Sequence, residues 1–257
     1  MKMKNLLKLN RIGILGISLV LFSCTEDPIS STITNYPVLE LNASGESTIF
    51  VEQGESFTDP GAIATIDGVE VPVTTTYTGR YRGNVFTGSL DTNVADVYTV
   101  SYSALNSDGF AGTATREVIV AKTGDLTTSI EGLYRSTVFR NGVQGSPASA
   151  YTDMEYILIW KNADGRYEIS DALGGWYLLG RAIADSESPG GLIVANNIAA
   201  NDFSFPGTQT NLYFGGPSTI RSAVVDAAAK TIDLKTVWVA PPATTYNFDI
   251  HLEQVQF

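Results

Sequence analysis

The chain has one histidine and one cysteine among its 257 residues. A catalytic zinc ion takes about three protein ligands, mostly histidine and cysteine, so a zinc enzyme is excluded. A serine–histidine–aspartate triad would have to use His251, which lies in an alternating stretch and is better explained as a structural or surface residue. The sequence also lacks the Gly-x-x-x-x-Gly-Lys motif, so it gives no support to nucleotide phosphate binding.

Basic residues are scarce, since 16 lysines and arginines stand against 27 aspartates and glutamates, for a net charge of −11. The first 23 residues hold four of the basic residues and no acid, so a chain starting at residue 24 has a charge of 12 minus 27, or −15. Phosphate backbones and anionic lipids repel such a surface. We therefore predict that the protein does not bind nucleic acid.

Apolar runs are short. The longest, Ile12 to Phe22, follows four basic residues and is typical of a signal-peptide core, whereas a bilayer span takes about 20 residues. Leu21-Phe22-Ser23-Cys24 ends this run and resembles the lipobox of bacterial lipoproteins, whose cysteine is acylated and becomes the new N-terminus. An ordinary secretory signal with a chance cysteine is the alternative.

The lipobox resemblance implies a signal peptide over residues 1–23 and lipid attachment at Cys24. Several acyl chains anchor a protein stably, so the membrane is a predicted partner through Cys24, and no thiol remains for a disulfide. Residues 24–36 are rich in Ser, Thr and Pro and are predicted to form a flexible tether. Glu26-Asp27 resembles the signal that sends such lipoproteins to the outer face of the outer membrane, although a merely solvated tether would explain it too.

Residues 37–122 alternate short Val-, Thr-, Tyr- and Ile-rich runs with Gly, Asp and Pro, which is typical of an antiparallel β-sandwich. Tyr98, Val100 and Tyr102 occupy alternate positions of one run and should face the core. A turn at Ser107-Asp108-Gly109 should join this run to the closing strand as a hairpin.

Several motifs of this region resemble the bacterial Ig-like domain of pesticidal crystal proteins and of many surface lipoproteins. In order, they are Gly54-Glu55-Ser56-Phe57-Thr58-Asp59-Pro60-Gly61-Ala62, Asp67-Gly68, Asp96-Val97-Tyr98-Thr99-Val100-Ser101-Tyr102, Asp108-Gly109 and Gly112. The resemblance implies a sandwich of about seven strands that serves as a spacer or adhesive module, with no catalytic residues.

A second β domain is predicted over residues 128–257, after a short polar joint. Asn141-Gly142 and the segment 162–165 are hairpin signals, and no stretch has a helical period. Further strands are predicted at 176–183, 192–195, 222–226, 231–239 and 246–255. The predicted fold class is therefore all-β, with an N-terminal Ig-like β-sandwich followed by a second antiparallel domain that is either a barrel or a sandwich.

Three short motifs of this second domain resemble the terminal domain of lipoproteins encoded with glycan-uptake systems in Bacteroidota. They are Glu131-Gly132-Leu133-Tyr134, Gly174-Gly175-Trp176-Tyr177 and Phe248-Asp249-Ile250-His251-Leu252. The resemblance implies an uncharacterised surface module, often found beside receptors for polysaccharide import, and so an outer-membrane uptake receptor complex as a partner.

Two pairs of acids have the spacing of residues on one face of a strand, namely Asp153 with Glu155 and Asp185 with Glu187. A glycosidase needs two positioned carboxyl groups, but no recognisable acid–base motif accompanies these pairs. Loops at 91–96 and 106–108 offer oxygen ligands without the spacing of a calcium loop. We predict no enzyme activity, no cofactor and no metal.

Five aromatic residues carry the ligand hypothesis: Trp176, Tyr177, Tyr213, Phe214 and Tyr246. They lie near Gly, Asn or Pro, as residues displayed on loops or barrel mouths often do, and sugar rings can stack on such side chains. The alternative is that they are structural, as predicted for Trp160 and Trp238 inside apolar runs.

The sequence thus predicts a non-catalytic binding accessory, lipid-anchored in the outer membrane and facing the cell exterior, with a glycan of a polysaccharide-uptake system as ligand. A purely structural or adhesive module is the first alternative. A small glycan-acting enzyme is the second.

Overall fold

The structure, a computed structural model, describes residues 34–42, 46–141 and 150–257. These ranges contain β-strands and one π-helical turn, Trp176–Gly180, which confirms the all-β prediction. The strands are β1 Val38–Leu41, β2 Thr48–Glu52, β3 Ala62–Ile66, β4 Val69–Val71, β5 Thr74–Gly79, β6 Val85–Thr87, β7 Asp96–Leu105, β8 Ala111–Ala121, β9 Gly132–Arg140, β10 Ala150–Lys161, β11 Tyr167–Ile169, β12 Gly191–Asn197, β13 Asp202–Ser204, β14 Gln209–Thr210, β15 Pro217–Asp226, β16 Thr231–Ala240 and β17 Thr244–Gln254. In the same ranges no helix is long and apolar enough to cross a membrane.

Two sheets form the N-terminal sandwich, one with strand order β1-β3-β4 and the other with order β2-β8-β7-β5-β6. Tyr98, Val100 and Tyr102 are fully buried between them, as their alternation predicts. The β7–β8 hairpin also forms as predicted, with a turn in which Gly109 has φ of +84°. The β2–β8 pair is parallel, from Thr48 opposite Glu117 to Glu52 opposite Ala121.

Asp59, from the longest motif of the Ig-like resemblance, fastens the loop that leads into β3 to the five-stranded sheet of the sandwich. Its carboxylate accepts hydrogen bonds from the hydroxyls of Tyr77 at 2.8 Å and Tyr102 at 2.6 Å, and from the backbone N–H of Gly61 at 2.9 Å. The buried Arg116 lies 3.6 Å away. The carboxylate satisfies polar groups that would otherwise be costly to bury, which gives the motif a structural role.

The C-terminal domain is one antiparallel sheet of nine strands in the order β13-β12-β11-β10-β9-β17-β16-β15-β14. The single sheet curls around its own apolar core, so of the two predicted folds the domain resembles a barrel and not a sandwich of two sheets. Its end strands β13 and β14 do not pair with each other, so no ladder closes the curl. Instead, the side chain of Asn201 accepts from the backbone N–H of Val225 at 2.6 Å and donates to its carbonyl at 3.3 Å.

A buried apolar junction connects the two domains, and Asn35–Phe257 form one compact unit. The N-terminal side of the junction consists of Ala95, Val97, Ile119 and Ala121, and the C-terminal side of Leu133, Tyr156, Leu158 and Trp160. The segment predicted as a polar joint also contributes Leu126, which is 1% exposed and packs in the C-terminal core. Residues 123–127 therefore belong to a fixed connection.

The prediction of a strand at residues 176–183 is wrong. Gly174 and Gly175 both have positive φ, at +65° and +84°, and the chain then forms the π-helical turn. The hairpin predicted at Asn141-Gly142 is present as the β9–β10 pair, but residues 142–149 lie outside the described ranges. The predicted signal peptide, Cys24, Glu26-Asp27 and the tether up to residue 33 also lie outside them.

Candidate ligand-binding site

All five aromatic residues named from the sequence belong to one cluster at one end of the curled sheet. Four consecutive ring contacts run through it, with centroid distances of 4.8 Å for Tyr213–Phe214, 4.9 Å for Phe214–Tyr177, 5.3 Å for Tyr177–Trp238 and 5.6 Å for Trp238–Tyr246. The last pair is stacked, with 23° between the ring planes. The sequence assigned Trp238 to the core, where it is 3% exposed, yet it is also the centre of this cluster.

Arg140 connects Trp176 to the same cluster. Its guanidinium carbon lies 5.0 Å from the ring centroid of Trp176 and 4.8 Å from that of Tyr246, and its Nη1 donates to the hydroxyl of Tyr177 at 3.3 Å. Both distances are within the range of cation–π attraction. We call Arg140 and the six aromatic residues Trp176, Tyr177, Tyr213, Phe214, Trp238 and Tyr246 the aromatic rim.

Strand geometry explains the position of Arg140. In β9 the inward positions are even-numbered, so Arg140 shares the inner face with the buried Tyr134 and Val138. Because Arg140 is the last residue of β9, it lies at one end of the curled sheet. Tyr246 has the equivalent inner position at the start of β17, opposite Trp238.

The Gly-Gly pair sets the entry of Trp176 and Tyr177 into the core. A Cβ atom on Gly174 would lie 2.7 Å from Cγ2 of Ile250 and 2.8 Å from Cγ2 of Val138, so only glycine fits between these strands. The φ of +65° adds a second reason for glycine. The turn that follows directs both aromatic side chains inward.

Asp171 holds the start of this turn. Its buried carboxyl group accepts hydrogen bonds from the backbone N–H groups of Leu173, Gly175 and Ser188 at 2.9 to 3.0 Å. Burial, helped to a smaller degree by the nearby Glu187 carboxylate, outweighs these hydrogen bonds and raises the pKa of Asp171 to about 6. The sequence did not single out Asp171, because nothing local distinguishes it from the other aspartates in turns.

The loop that carries Tyr213 and Phe214 is held at both ends. The side chain of Asn211 accepts from the backbone N–H of Phe214 at 2.8 Å, and the indole N–H of Trp238 donates to the carbonyl of Gly215 at 3.0 Å. Asn211 is itself buried and donates to the carbonyl of Ser186. Tyr213 is thus displayed on a fixed loop.

The five aromatic residues predicted to bind a ligand differ in their exposure to solvent. Trp176 and Tyr177 are 4% and 3% exposed, so their expected display is wrong: both rings are enclosed by the core. Phe214 and Tyr246 are half-buried, and Tyr213 is 64% exposed. Only the last of these presents most of its ring to solvent.

Of the two acid pairs, the second adjoins the loop of Tyr213, since the backbone carbonyl of Glu187 accepts from the backbone N–H of Leu212 at 3.0 Å. Arg135 forms salt bridges with both Asp153, at 2.8 Å, and Glu155. Asp185 is exposed, whereas Glu187 is buried, so the second pair does not share one surface. His251 lies on β17, where Nδ1 is 2.6 Å from Oδ1 of Asp233 and Nε2 is 3.5 Å from a carboxylate oxygen of Glu253.

The loops considered for calcium form turns. The side chain of Asn106 accepts from the backbone N–H groups of Asp108 and Phe110, and Asp91 accepts from that of Asn93. Within the described ranges, no group of three His, Cys, Asp or Glu side chains is placed to hold a metal ion.

Comparison with known proteins identifies both domains. The model of a BT2262-like C-terminal domain family matches residues 123–254, which is 132 of the 257 residues, and that of a bacterial surface protein Ig-like domain matches residues 41–120. The crystal structure of the lipoprotein BT2262 from Bacteroides thetaiotaomicron is similar at 27% sequence identity and a TM-score of 0.56, over 85% of this chain and 100% of that chain. No curated protein matches the chain in sequence. These relatives indicate a location in the cell envelope, and the chain belongs to the BT2262-like family of surface lipoproteins.

Proposed function

We propose that this protein is a non-catalytic accessory that binds a glycan at its aromatic rim. The observation that carries the proposal is Tyr213, whose 64% exposed ring lies at the end of a continuous aromatic cluster and on a loop fixed by Asn211 and Trp238. A pre-positioned ring loses little conformational freedom when a sugar stacks on it. The half-buried Phe214 supports that ring from one side.

The binding test uses the chain from residue 24 onward, purified in detergent with its lipid, against a broad polysaccharide panel. Tyr213→Ala should weaken binding about tenfold, which corresponds to the loss of about 1.4 kcal/mol of ring contact. Leu212→Ala is the matched control, because Leu212 is 56% exposed in the same loop but has no ring to stack. Equal affinities of the two variants would contradict the proposal.

We further propose that acyl chains on Cys24 hold the protein in the outer membrane, on its external face, as part of a polysaccharide-uptake receptor complex. The lipobox-like Leu21–Cys24 and the lipoprotein relative support this. Cys24→Ser should move the protein from the membrane fraction to the soluble fraction. Protease added to intact cells should degrade the unaltered protein, whereas protection equal to that of a periplasmic protein would contradict external exposure.

A structural or adhesive module is the second candidate function, and one observation favours it. Trp176 and Tyr177 stabilise the core instead of facing solvent, and the apolar junction gives the protein the form of a fixed spacer. This candidate predicts that no polysaccharide of the panel binds and that Tyr213→Ala changes nothing.

A further inference from the structure

Two arginines converge on one tyrosine of the rim. Arg140 donates from Nη1 to the hydroxyl of Tyr177, and the guanidinium carbon of Arg181 lies 5.8 Å from the centroid of the same ring. Both positive charges are close enough to lower the pKa of Tyr177, against the larger effect of burial, which raises it. Each guanidinium is positive, so a negatively charged group at this tyrosine would be attracted by both.

Neither arginine has an acid partner in the described ranges, where no carboxylate lies within 4.0 Å of Arg140 or Arg181. Six of the twelve lysines and arginines in these ranges form salt bridges with acids, namely Arg80, Arg116, Lys122, Arg135, Arg166 and Lys235. Residues 142–149, which follow the rim in sequence, contain no acid either. What sets Arg140 and Arg181 apart from the other unpaired basic residues is that both lie against the ring of Tyr177.

The hydrogen-bonding capacity of Arg140 is also largely unused. A guanidinium carries several N–H donors and stays charged at any physiological pH. Arg140 makes one hydrogen bond, at 3.3 Å, and it is half-buried without having a fully buried, unpaired nitrogen, so its other donors contact solvent. The flanking rings of Trp176 and Tyr246 fix the plane of the group. A fixed guanidinium with free donors suits the two oxygens of a carboxylate.

We propose that the aromatic rim binds an acidic glycan, with Arg140 and Arg181 as contacts for the oxyanions of its sugars. This rests on the proposed function and narrows it to sugars that carry a carboxylate or a sulfate. Neighbouring sugar rings of the same glycan stack on Tyr213, which is joined to Tyr177 through Phe214. The many acids elsewhere on the protein do not prevent this, because charges more than about 8 Å away are largely screened at physiological salt.

The test compares two pairs of polymers, each pair consisting of a charged polymer and a neutral polymer with the same sugar backbone. The detergent-purified chain from residue 24 onward is titrated with polygalacturonate, with its methyl ester, with dextran sulfate and with dextran. Polygalacturonate should bind at least tenfold more tightly than the ester, and more weakly as salt is raised. If dextran sulfate binds and polygalacturonate does not, the oxyanion is a sulfate; if all four polymers bind equally, the proposal is wrong.

Charge-removing variants assign the contacts. Arg140→Gln and Arg181→Gln should each weaken polygalacturonate binding about tenfold, whereas Arg221→Gln, which removes an exposed arginine from β15, should have no effect. Because Arg140 packs against two rings, its variant must also melt within a few degrees of the unaltered protein; Arg181 is exposed and serves as the test free of folding effects.

The outcomes separate the two proposals. Neutral polymers that bind in a Tyr213-dependent manner, with no effect of either arginine, overturn the acidic ligand and keep the glycan. Absence of binding to all four polymers overturns the acidic ligand, and absence of binding across the whole polysaccharide panel overturns both proposals.

Discussion

The hydroxyl of Tyr81 donates a hydrogen bond of 2.8 Å to the carbonyl oxygen of Tyr156, across the junction between the two domains. Tyr81 belongs to the N-terminal sandwich and packs against the apolar residues that surround this bond. Nearby, the guanidinium carbon of Arg82 lies 5.3 Å from the ring of Trp160. A hydrogen bond within an apolar interface favours one relative orientation of the domains over others.

Trp160→Ala should therefore destabilise the whole protein. Trp160 is 5% exposed at the junction, and removing a large buried ring costs about 3–5 kcal/mol. Urea unfolding followed by circular dichroism measures the change. Val69→Ala is the control, because Val69 is 67% exposed, and its effect should stay below about 0.5 kcal/mol. Equal unfolding midpoints for the two variants would show that the junction adds no stability.

Gly174→Ala should lower the melting temperature more than Gly190→Ala does. Both glycines have positive φ, at +65° and +80°, so both substitutions strain the backbone. Only at Gly174 would the new Cβ also clash with Ile250 and Val138, since no heavy atom lies within 4 Å of the Cβ position on Gly190. The difference between the variants, about 1–3 kcal/mol, measures overpacking alone. It should be absent if the turn can shift at no cost.

Asp171 should make stability fall as the pH rises from about 4 to about 6. Its pKa is raised from 3.8 to about 6 in the folded state, so folding takes up a proton between these values. By linkage, this stabilisation is fully present below the unfolded pKa and is lost as the pH rises through the folded one, a change on the order of 3 kcal/mol. The Asp171→Asn side chain cannot ionise. The unfolding free energy of this variant should therefore lack the fall that the Asp171 carboxyl group causes between about pH 4 and about pH 6.

The Asp171→Asn variant should also be less stable at pH 4, because an amide nitrogen would replace an oxygen that accepts from Leu173 and Ser188 or from Gly175. Parallel pH profiles for the two proteins would contradict the raised pKa.

Asn201→Gly should loosen the curled sheet. The substitution removes two hydrogen bonds to the backbone of Val225, while glycine tolerates the φ of +54° at this position, so backbone strain does not contribute. We expect a loss of about 1–3 kcal/mol and faster hydrogen exchange of the Val225 amide. Asn201→Asp keeps the acceptor and removes the donor, so it should have an intermediate effect. Unchanged exchange in both variants would mean that the core alone keeps the sheet curled.

Local pattern predicted those parts of the fold that depend on neighbouring residues. The inward set Tyr98, Val100 and Tyr102 follows from strict alternation in one strand, and the β7–β8 turn from its glycine. Val97, on the opposite face, is buried as well, because that face is covered by the C-terminal domain. Alternation in a single strand carries no information about such a second contact.

The aromatic rim was only partly predicted, because here too the sequence pattern shows only the neighbours of a residue along the chain. Gly, Asn and Pro near an aromatic residue identify a turn, which is correct for Tyr213, but a turn can direct a ring inward, as it does for Trp176. Arg140 was missed because its partners, Trp176 and Tyr246, come from elements distant in sequence. A pattern of neighbours does not predict such pairs.

The parallel pairing of β2 with β8 has a mechanical consequence. If the chain is pulled at Thr48, where β2 begins, and at Ala121, where β8 ends, the load runs along both strands in opposite directions. The hydrogen bonds between the strands, from Thr48–Glu117 to Glu52–Ala121, then bear the force together in shear instead of breaking one by one. The N-terminal sandwich is thereby arranged to resist traction applied between β2 and the domain that carries the rim.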